Sequence, residues 1–385
     1  MLLIIHGNEA SDMTARQRII PVRRDYNRWV ANQTLEDYAL RFTAKSARQY
    51  SPARISQTAI GAISFLALEA VGGAITLSYG TTNAIFATIA ACLLLLLIGV
   101  PISRYAIRHG VDIDLLTRGA GFGYIGSTLT SLIYASFTFI LFAIEASIMT
   151  GALDLALGIP PWLGYIISAV VVIPLVTHGV RLISRFQLLT QPFWIVLNIL
   201  PFIFIATSDW QKVILWLGYA GTAHESMAFG QIAPFNLAEF GAASAVILGL
   251  MSQIGEQVDF LRFLPSGHKP ATIWQRIARF LAGPGWVVVG APKLLAGSFL
   301  AVLCLSSGVP AGQAADPAHM YVTAFGYMVP NHMAALGLTA AFVVVSQLKI
   351  NVMNAYAGSL AWSNFFSRLT HSHPGRVVWL FFNVA

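Results

Sequence analysis

Long apolar runs recur along most of this sequence, and each is long enough to cross a lipid bilayer. Backbone polar groups find no water inside hydrocarbon, so a run of roughly 20 apolar residues predicts a membrane-spanning helix. Eight complete runs, numbered here as spans one to eight, lie near residues 55–79, 82–103, 125–150, 160–178, 185–207, 238–263, 283–307 and 333–363, and an incomplete ninth occupies 376–385. Only 10% of the 385 residues are charged, against about a quarter in soluble domains. We therefore predict an all-α polytopic membrane protein.

The basic residues are distributed unevenly between the loops. Nearly all of the 23 Lys and Arg residues lie in the N-terminal segment or in alternate loops. The opposite loops contain only Lys212, while Lys293 and Lys349 fall inside spans. This is the positive-inside pattern, which predicts a cytoplasmic N-terminus in a plasma (inner) membrane of bacterial type. Because topology accounts for the net charge of +7, we predict no nucleic-acid partner.

The sequence divides into two parts. Residues 1–53 form a predicted cytoplasmic segment, in which Thr34 caps an amphipathic helix on the membrane surface. Residues 54–385 form the transmembrane domain. Cys92 and Cys304 both fall in spans, so no disulfide is indicated. The sequence shows no metal cluster, phosphate-binding loop or nucleophile motif, and we predict neither a cofactor nor a metal nor an enzyme activity.

Several ionisable residues fall inside the predicted spans, where a charge costs at least a few kcal/mol unless it is paired or faces a cavity. They are Glu69, Glu145, Glu256, Asp259 and Lys349. Acids in several spans and one deep lysine indicate a buried polar path for a solute or ion. The alternative is structural, with Glu69 or Glu145 pairing with Lys349 to hold the helices together. The two interpretations are compatible.

Glycines accompany these acids. Gly72 and Gly73 follow the glutamate of span one, and Gly249 and Gly255 flank Gln253 in span six. Glycine pairs allow a spanning helix to unwind, and interrupted helices at corresponding positions of two halves indicate a transporter site near the membrane midplane. The alternative is that these glycines only permit close packing of helices.

Span eight carries two polar faces when it is read as a helix. Gln347, Asn351, Asn354 and Gly358 share one face, at spacings of three and four residues. Lys349 lies on a different face. The separation suggests two tasks, one in binding a ligand and one at a cation position.

Three stretches resemble the nucleobase–cation symporter-1 family, the group of purine–cytosine, allantoin and hydantoin permeases. They are "DLLTRGAGFGYIGSTLTSLIYAS" entering span three, "VDFLRFLP" closing span six and "NVMNAYAGSLAWSNFF" in span eight. The resemblance implies a leucine-transporter-type inverted five-helix repeat, a substrate site between spans one, three, six and eight, and alternating access. A five-plus-five repeat has ten helices, so we expect the chain to be a fragment, truncated after about eight complete helices.

The resemblance also assigns residues. Asn354 corresponds to the substrate-binding asparagine of span eight, with Asn351 beside it, and Gly249 matches a glycine of span six. Ser136, Ile140 and Leu250 stand where the family usually has a tryptophan, a glutamine and a second tryptophan, so the loss of stacking partners changes the expected substrate contacts. Tyr134, Phe137, Phe139 and Tyr356 could supply a different aromatic surface, although ordinary packing would also explain each of them. The predicted substrate-binding residues are Asn354, Asn351, Gly249, Ser136, Gln253 and Glu69.

Lys349 occupies a position where sodium-coupled members carry Ser or Thr at the ion site. An ammonium there would bring the same charge to the carbonyl groups of a broken span one. We predict that Lys349 is a built-in cation and that activity is sodium-independent or proton-coupled. The predicted ion- or proton-coupling residues are Lys349, Glu69, Glu145 and Glu256.

Together these features predict a secondary active transporter, a permease of a nucleobase-like or related nitrogenous small solute, with a proton or sodium as its coupling ion. The alternative function is a transporter-like sensory domain of a signalling protein such as a histidine kinase. Its signalling domains would then follow residue 385.

Overall fold

The computed structural model describes residues 25–26, 42–43, 45, 47–222, 232, 234–265 and 272–385. The predicted surface helix that begins at Thr34 lies outside the described residues. The helices in chain order are α1 Pro52–Ala62, α2 Ala67–His109, α3 Ile113–Thr117, α4 Gly123–Leu157, α5 Pro161–Thr177, α6 Gly179–Ser208, α7 Gln211–Leu217, α8 Leu237–Leu248, α9 Gln253–Leu261, α10 Ile273–Ala282, α11 Trp286–Ser306, α12 Pro317–Gly326, α13 His332–Thr370 and α14 Arg376–Val384. Two short strands, β1 Asp25–Tyr26 and β2 Ser372–His373, pair in parallel.

Within the described part of the chain, six helical segments are long and apolar enough to cross a membrane. A seventh apolar helix, α5, is shorter. The six segments are Ala67–His109, Ile113–Leu157, Gly179–Ser208, Leu237–Leu261, Trp286–Ser306 and His332–Thr370. Helix α13 packs most extensively against α4, and α11 packs against α2.

A tight turn at Gly80 divides the long helix α2 into the end of span one and the whole of span two. Gly80 has a φ of 79°, a left-handed conformation that favours glycine. A Cβ at Gly80 would lie 2.5 Å from the carbonyl oxygen of Ala220, and the N–H of Thr81 donates to the carbonyl of Tyr219 at 2.9 Å. The turn is therefore fixed by both backbone conformation and a close neighbour.

Span one is interrupted earlier than the sequence suggests. Helix α1 ends at Ala62 and α2 begins at Ala67, so the break covers residues 63–66. The predicted unwinding at Gly72 and Gly73 is wrong, because both residues are helical. A Cβ at Gly72 would lie 1.9 Å from the carbonyl oxygen of Leu294 in α11. These glycines permit close helix packing, which was the alternative interpretation.

Span six tightens at the predicted glycine, but it does not unwind. A short 3₁₀ turn, Gly249–Ser252, separates α8 from α9. The N–H of Gly249 still bonds to carbonyls of the preceding turn, so the helix tightens here without losing its backbone partners.

Candidate functional site

The break in span one is stabilised by α13 of span eight. The hydroxyl of Ser64 donates to the carbonyl of Ser346 at 2.7 Å. The N–H of Leu66 donates to Oε1 of Gln347 at 3.5 Å. Freed backbone groups inside a membrane need such internal partners. The polar face of span eight thus serves, in part, to complete the interrupted helix.

Glu69 forms a buried ion pair with Lys293 of α11 beside this break. The Lys293 ammonium donates to Oε1 of Glu69 at 2.7 Å and to the carbonyl of Ser64 at 3.4 Å. The hydroxyl of Tyr321 donates to the same carboxylate oxygen at 3.2 Å. Glu69 also lies in the first turn of α2, where the helix dipole favours a negative charge. The predicted pairing of Glu69 with Lys349 is therefore wrong.

Lys349 binds α6 instead. Its ammonium donates to the carbonyl of Gln187 at 3.2 Å, to Oγ1 of Thr190 at 3.1 Å and to Oε1 of Gln191 at 2.9 Å. These partners all belong to span five, so the predicted contact of Lys349 with the carbonyls of span one is not the arrangement found. The lysine that touches such a carbonyl is Lys293.

Glu145 of α4 is fully buried, at 0% exposure. Among the described residues, neither of its carboxyl oxygens has a partner at standard hydrogen-bond geometry. The side chain of Gln347 and the backbone of Ala67 nevertheless lie close enough to act on it as weaker hydrogen-bonding groups, and Lys293 and Glu69 act on it through their charges. The structure therefore brings the acid of span three to the break in span one.

Gln253 and Glu256 of α9 approach the break from another side. The amide of Gln253 donates to Oε2 of Glu256. A cavity of about 10 Å³ lies between these two residues and Ile63 and Phe65 of the break, which is about the space of one water molecule.

The other predicted substrate-binding residues lie on α13, α4 and the 3₁₀ turn. Nδ2 of Asn354 donates to Oδ1 of Asn351 at 3.4 Å, and Oδ1 of Asn354 has no partner among the described residues. Ser136 is half-buried. Gly249 faces open space, since an added Cβ would meet nothing within 4 Å. Their roles in binding stay predictions.

Two of the aromatic residues proposed as a stacking surface belong to a polar network instead. The hydroxyl of Tyr134 donates to Oδ2 of Asp259 at 3.2 Å. The hydroxyl of Tyr356 accepts from the guanidinium of Arg262 at 3.3 Å. Arg262 also lies 3.7 Å from Oδ2 of Asp112. These contacts connect α4, α9, α13 and the segment that enters α3.

Burial raises the pKa of Asp112 above its ordinary value, and the nearby Arg262 guanidinium offsets this only in part. Nδ2 of Asn364 also donates to Asp112, at 3.3 Å. A second buried pair, Arg368 with Asp114, lies in the same region. Sequence reasoning missed these four charged residues because each stands at or near the end of a span, where charges are ordinary.

Sequence reasoning also missed the roles of Lys293 and Tyr321. The available signal was that Lys293 falls inside an apolar span, as Lys349 does. A cavity of about 810 Å³ between α6, α7 and α11 reaches Lys293 and is lined largely by apolar residues, together with Gln191 and Asn198.

Comparison with known proteins identifies two solved transporters of similar structure. Mhp1, a nucleobase-cation-symport-1 family transporter solved in a closed conformation with bromovinylhydantoin bound, matches with a TM-score of 0.65 at 14% identity. The match covers 90% of this chain and 72% of Mhp1. A Na⁺-coupled sialic acid symporter, solved in a substrate-bound outward-open state, matches with a TM-score of 0.58 at 14% identity, covering 92% of this chain and 75% of the symporter.

No family model matches the sequence, and no curated protein matches it either. The resemblance to the nucleobase–cation symporter-1 family therefore rests on the quoted motifs and on the shared structure. The chain is an all-α integral membrane protein with the leucine-transporter-type fold that these two symporters share.

Proposed function

We propose that this protein is a secondary transporter that moves a nucleobase-like or related nitrogenous small solute by alternating access. The fold of two symporters supports the class of activity. Spans three, six, seven and eight supply polar groups to the break in span one, which is the arrangement expected of a midplane binding site. The proposed location is a bacterial-type inner membrane with a cytoplasmic N-terminus.

The observation that carries the proposal is the position of Lys293. Its ammonium contacts both a carboxylate and a backbone carbonyl freed by the broken helix. A bound sodium ion would take oxygen ligands of the same kinds and bring the same charge. We propose that Lys293 is the built-in cation, in the role first assigned to Lys349, and that transport is sodium-independent.

A proton is then the proposed coupling ion, and Glu145 is its proposed carrier. Glu69 is held by an ammonium and a phenol, whereas the carboxyl of Glu145 forms no ion pair in the described part of the chain and has only the neutral groups of Gln347 and Ala67 near enough to act as hydrogen-bond donors. A buried carboxylate without a charged partner is much less stable than the neutral acid. Of the two glutamates, Glu145 is thus better placed to gain and lose a proton during a transport cycle.

The proposed substrate contacts are the amides of Asn354 and Asn351. Oδ1 of Asn354 is buried without a partner in the part of the chain that the structure describes, so it can accept from an N–H of a nitrogenous ring. The sequence suggested an aromatic surface for stacking on the substrate. Tyr134 and Tyr356 are less available for that role, because their hydroxyl groups belong to the polar network.

The test is uptake by proteoliposomes of labelled nucleobases, hydantoins and allantoin under three conditions: a sodium gradient, a proton gradient and no gradient. We expect uptake driven by protons and indifferent to sodium, abolished by Asn354→Ala and uncoupled from protons by Glu145→Gln. Lys212→Ala is the matched control, because this lysine lies outside the proposed site and bonds Ser306. Uptake that requires sodium in the unaltered protein would reject the built-in cation, and failure of all these solutes to bind folded protein would reject the substrate class.

The sensory alternative receives no support from the two solved structures described above, since each is a symporter.

A further inference from the structure

A second cavity, of about 960 Å³, lies between the last turns of α2 and the short helix α10. Among the described residues that line it, every ionisable side chain is basic. From α2 come Arg104, Arg108 and His109, and from α10 come Arg276 and Arg279. We call this cavity and its five basic residues the basic pocket.

The pocket gathers residues that are far apart in the sequence. The positive-inside pattern explains why arginines occur in both loops, but it does not require them to face one cavity. Like charges held together repel, so a shared cavity of arginines is more stable when an anion occupies it. Nε of Arg279 is buried without a partner among the described residues, which is a second indication that an acceptor is expected here.

Helix α10 shows what kind of anion fits. Its apolar side chains are strongly exposed: Trp274 at 76%, Ile273 at 62% and Ile277 at 42%. A helix with an exposed apolar face beside arginines is typical of one that lies in the membrane interface. Trp274 would then sit at the depth of the headgroups, where tryptophan is enriched.

We propose that the basic pocket binds the headgroup phosphate of an anionic phospholipid, whose acyl chains extend along the apolar face of α10. Arginine suits this role because its guanidinium offers paired N–H donors to phosphate oxygens. The side chains of Val100, Ile107 and Phe280 in the same cavity contact the apolar part of the lipid below its phosphate.

The consequence concerns the transport cycle. Helix α10 packs against α1, the first half of the interrupted span one. A lipid held between α2 and α10 can therefore affect the position of α1, the half-helix next to the candidate site. Lipid composition would then modulate the stability of one conformation of the protein.

The experiment measures retained lipid by native mass spectrometry of protein taken from vesicles of phosphatidylcholine with 30 mol% phosphatidylglycerol. The variant is the double substitution Arg276→Gln/Arg279→Gln. The matched control is Arg181→Gln/Arg185→Gln, which removes two exposed arginines from the start of α6, outside the pocket. We expect phosphatidylglycerol affinity to fall roughly fivefold for each pocket arginine removed and to change less than twofold in the control.

Three further measurements test the proposal: retention of phosphatidylcholine, competition by inorganic phosphate, and the variant Trp274→Ser. Phosphatidylcholine retained as well as phosphatidylglycerol would overturn the proposal, and so would equal losses in the two double variants. Competition by inorganic phosphate alone, with no gain from acyl chains, would identify a site for a soluble anion and would also overturn it. Trp274→Ser should weaken phosphatidylglycerol binding without altering phosphate binding, since it removes apolar contact and no charge. Size-exclusion elution of every variant at the normal volume shows that the protein remains folded.

Discussion

Removal of the Lys293 ammonium should destabilise the protein more than removal of both charges of its ion pair. Glu69 is 0% exposed and Lys293 is 3% exposed, so water cannot solvate either charge if the other is removed. Lys293→Met leaves the Glu69 carboxylate with Tyr321 as its remaining hydrogen-bond partner in the described part of the chain. Breaking a buried pair in this way costs about 3–5 kcal/mol.

The double variant Lys293→Met/Glu69→Gln replaces both charges by neutral side chains of similar size. The double variant should lose stability only through weakened hydrogen bonds, at about 1 kcal/mol for each bond. The free energy of unfolding should therefore be larger for the double variant than for Lys293→Met, although the double variant carries one more substitution.

The assay is unfolding in mixed micelles with a rising fraction of sodium dodecyl sulfate at pH 8, followed by circular dichroism. Lys349→Met is the matched control, because Lys349 is an equally buried lysine whose partners are neutral. Its removal leaves no orphan charge and should cost less than Lys293→Met. Equal losses in the single and double Lys293 variants, or a single variant as stable as the unaltered protein, would refute the reasoning.

Three other predictions concern packing and charge and can be tested in the same assay. Gly297→Leu places a Cβ 2.0 Å from a backbone oxygen of α2 and should cost roughly 3 kcal/mol, whereas Gly249→Ala meets nothing within 4 Å and should change stability little. Gly80→Ala forces alanine to a φ of 79° and should cost about 1–3 kcal/mol; an unchanged unfolding curve would contradict this. Arg262→Ala leaves Asp112 buried without its ion pair and should cost about 3–5 kcal/mol, of which Arg262→Ala/Asp112→Asn should restore a part.

The sequence predicted the fold class correctly because the membrane restricts the choice. Apolar runs of the length of a bilayer can only be helices, and the motifs of spans three, six and eight indicated the transporter fold that the structure confirms. The interruption of span six was predicted only in part, because a 3₁₀ turn begins at Gly249 but the helix keeps its backbone hydrogen bonds there.

The candidate site was predicted only in part. Glu69 and Glu145 were found because a carboxyl inside a span is conspicuous, but their partners depend on how helices rotate against one another. Nothing in the local sequence shows that Lys293 rather than Lys349 faces span one. The break at residues 63–66 was missed for a related reason: its backbone is stabilised by side chains of α13, which lie far away in the sequence.

That same contact has a consequence for the order in which the protein folds. Ser64 bonds a residue 282 positions later in the chain. At a synthesis rate of about 5–20 residues per second, roughly 15–60 seconds separate the appearance of these two residues. During this interval span one enters the membrane without the contacts that α13 makes to its break. The first helix to be inserted is thus among the last to complete its native contacts. Because Gln347 reaches the break through its side chain, substitutions at Gln347 should act on the maturation of a helix made long before it.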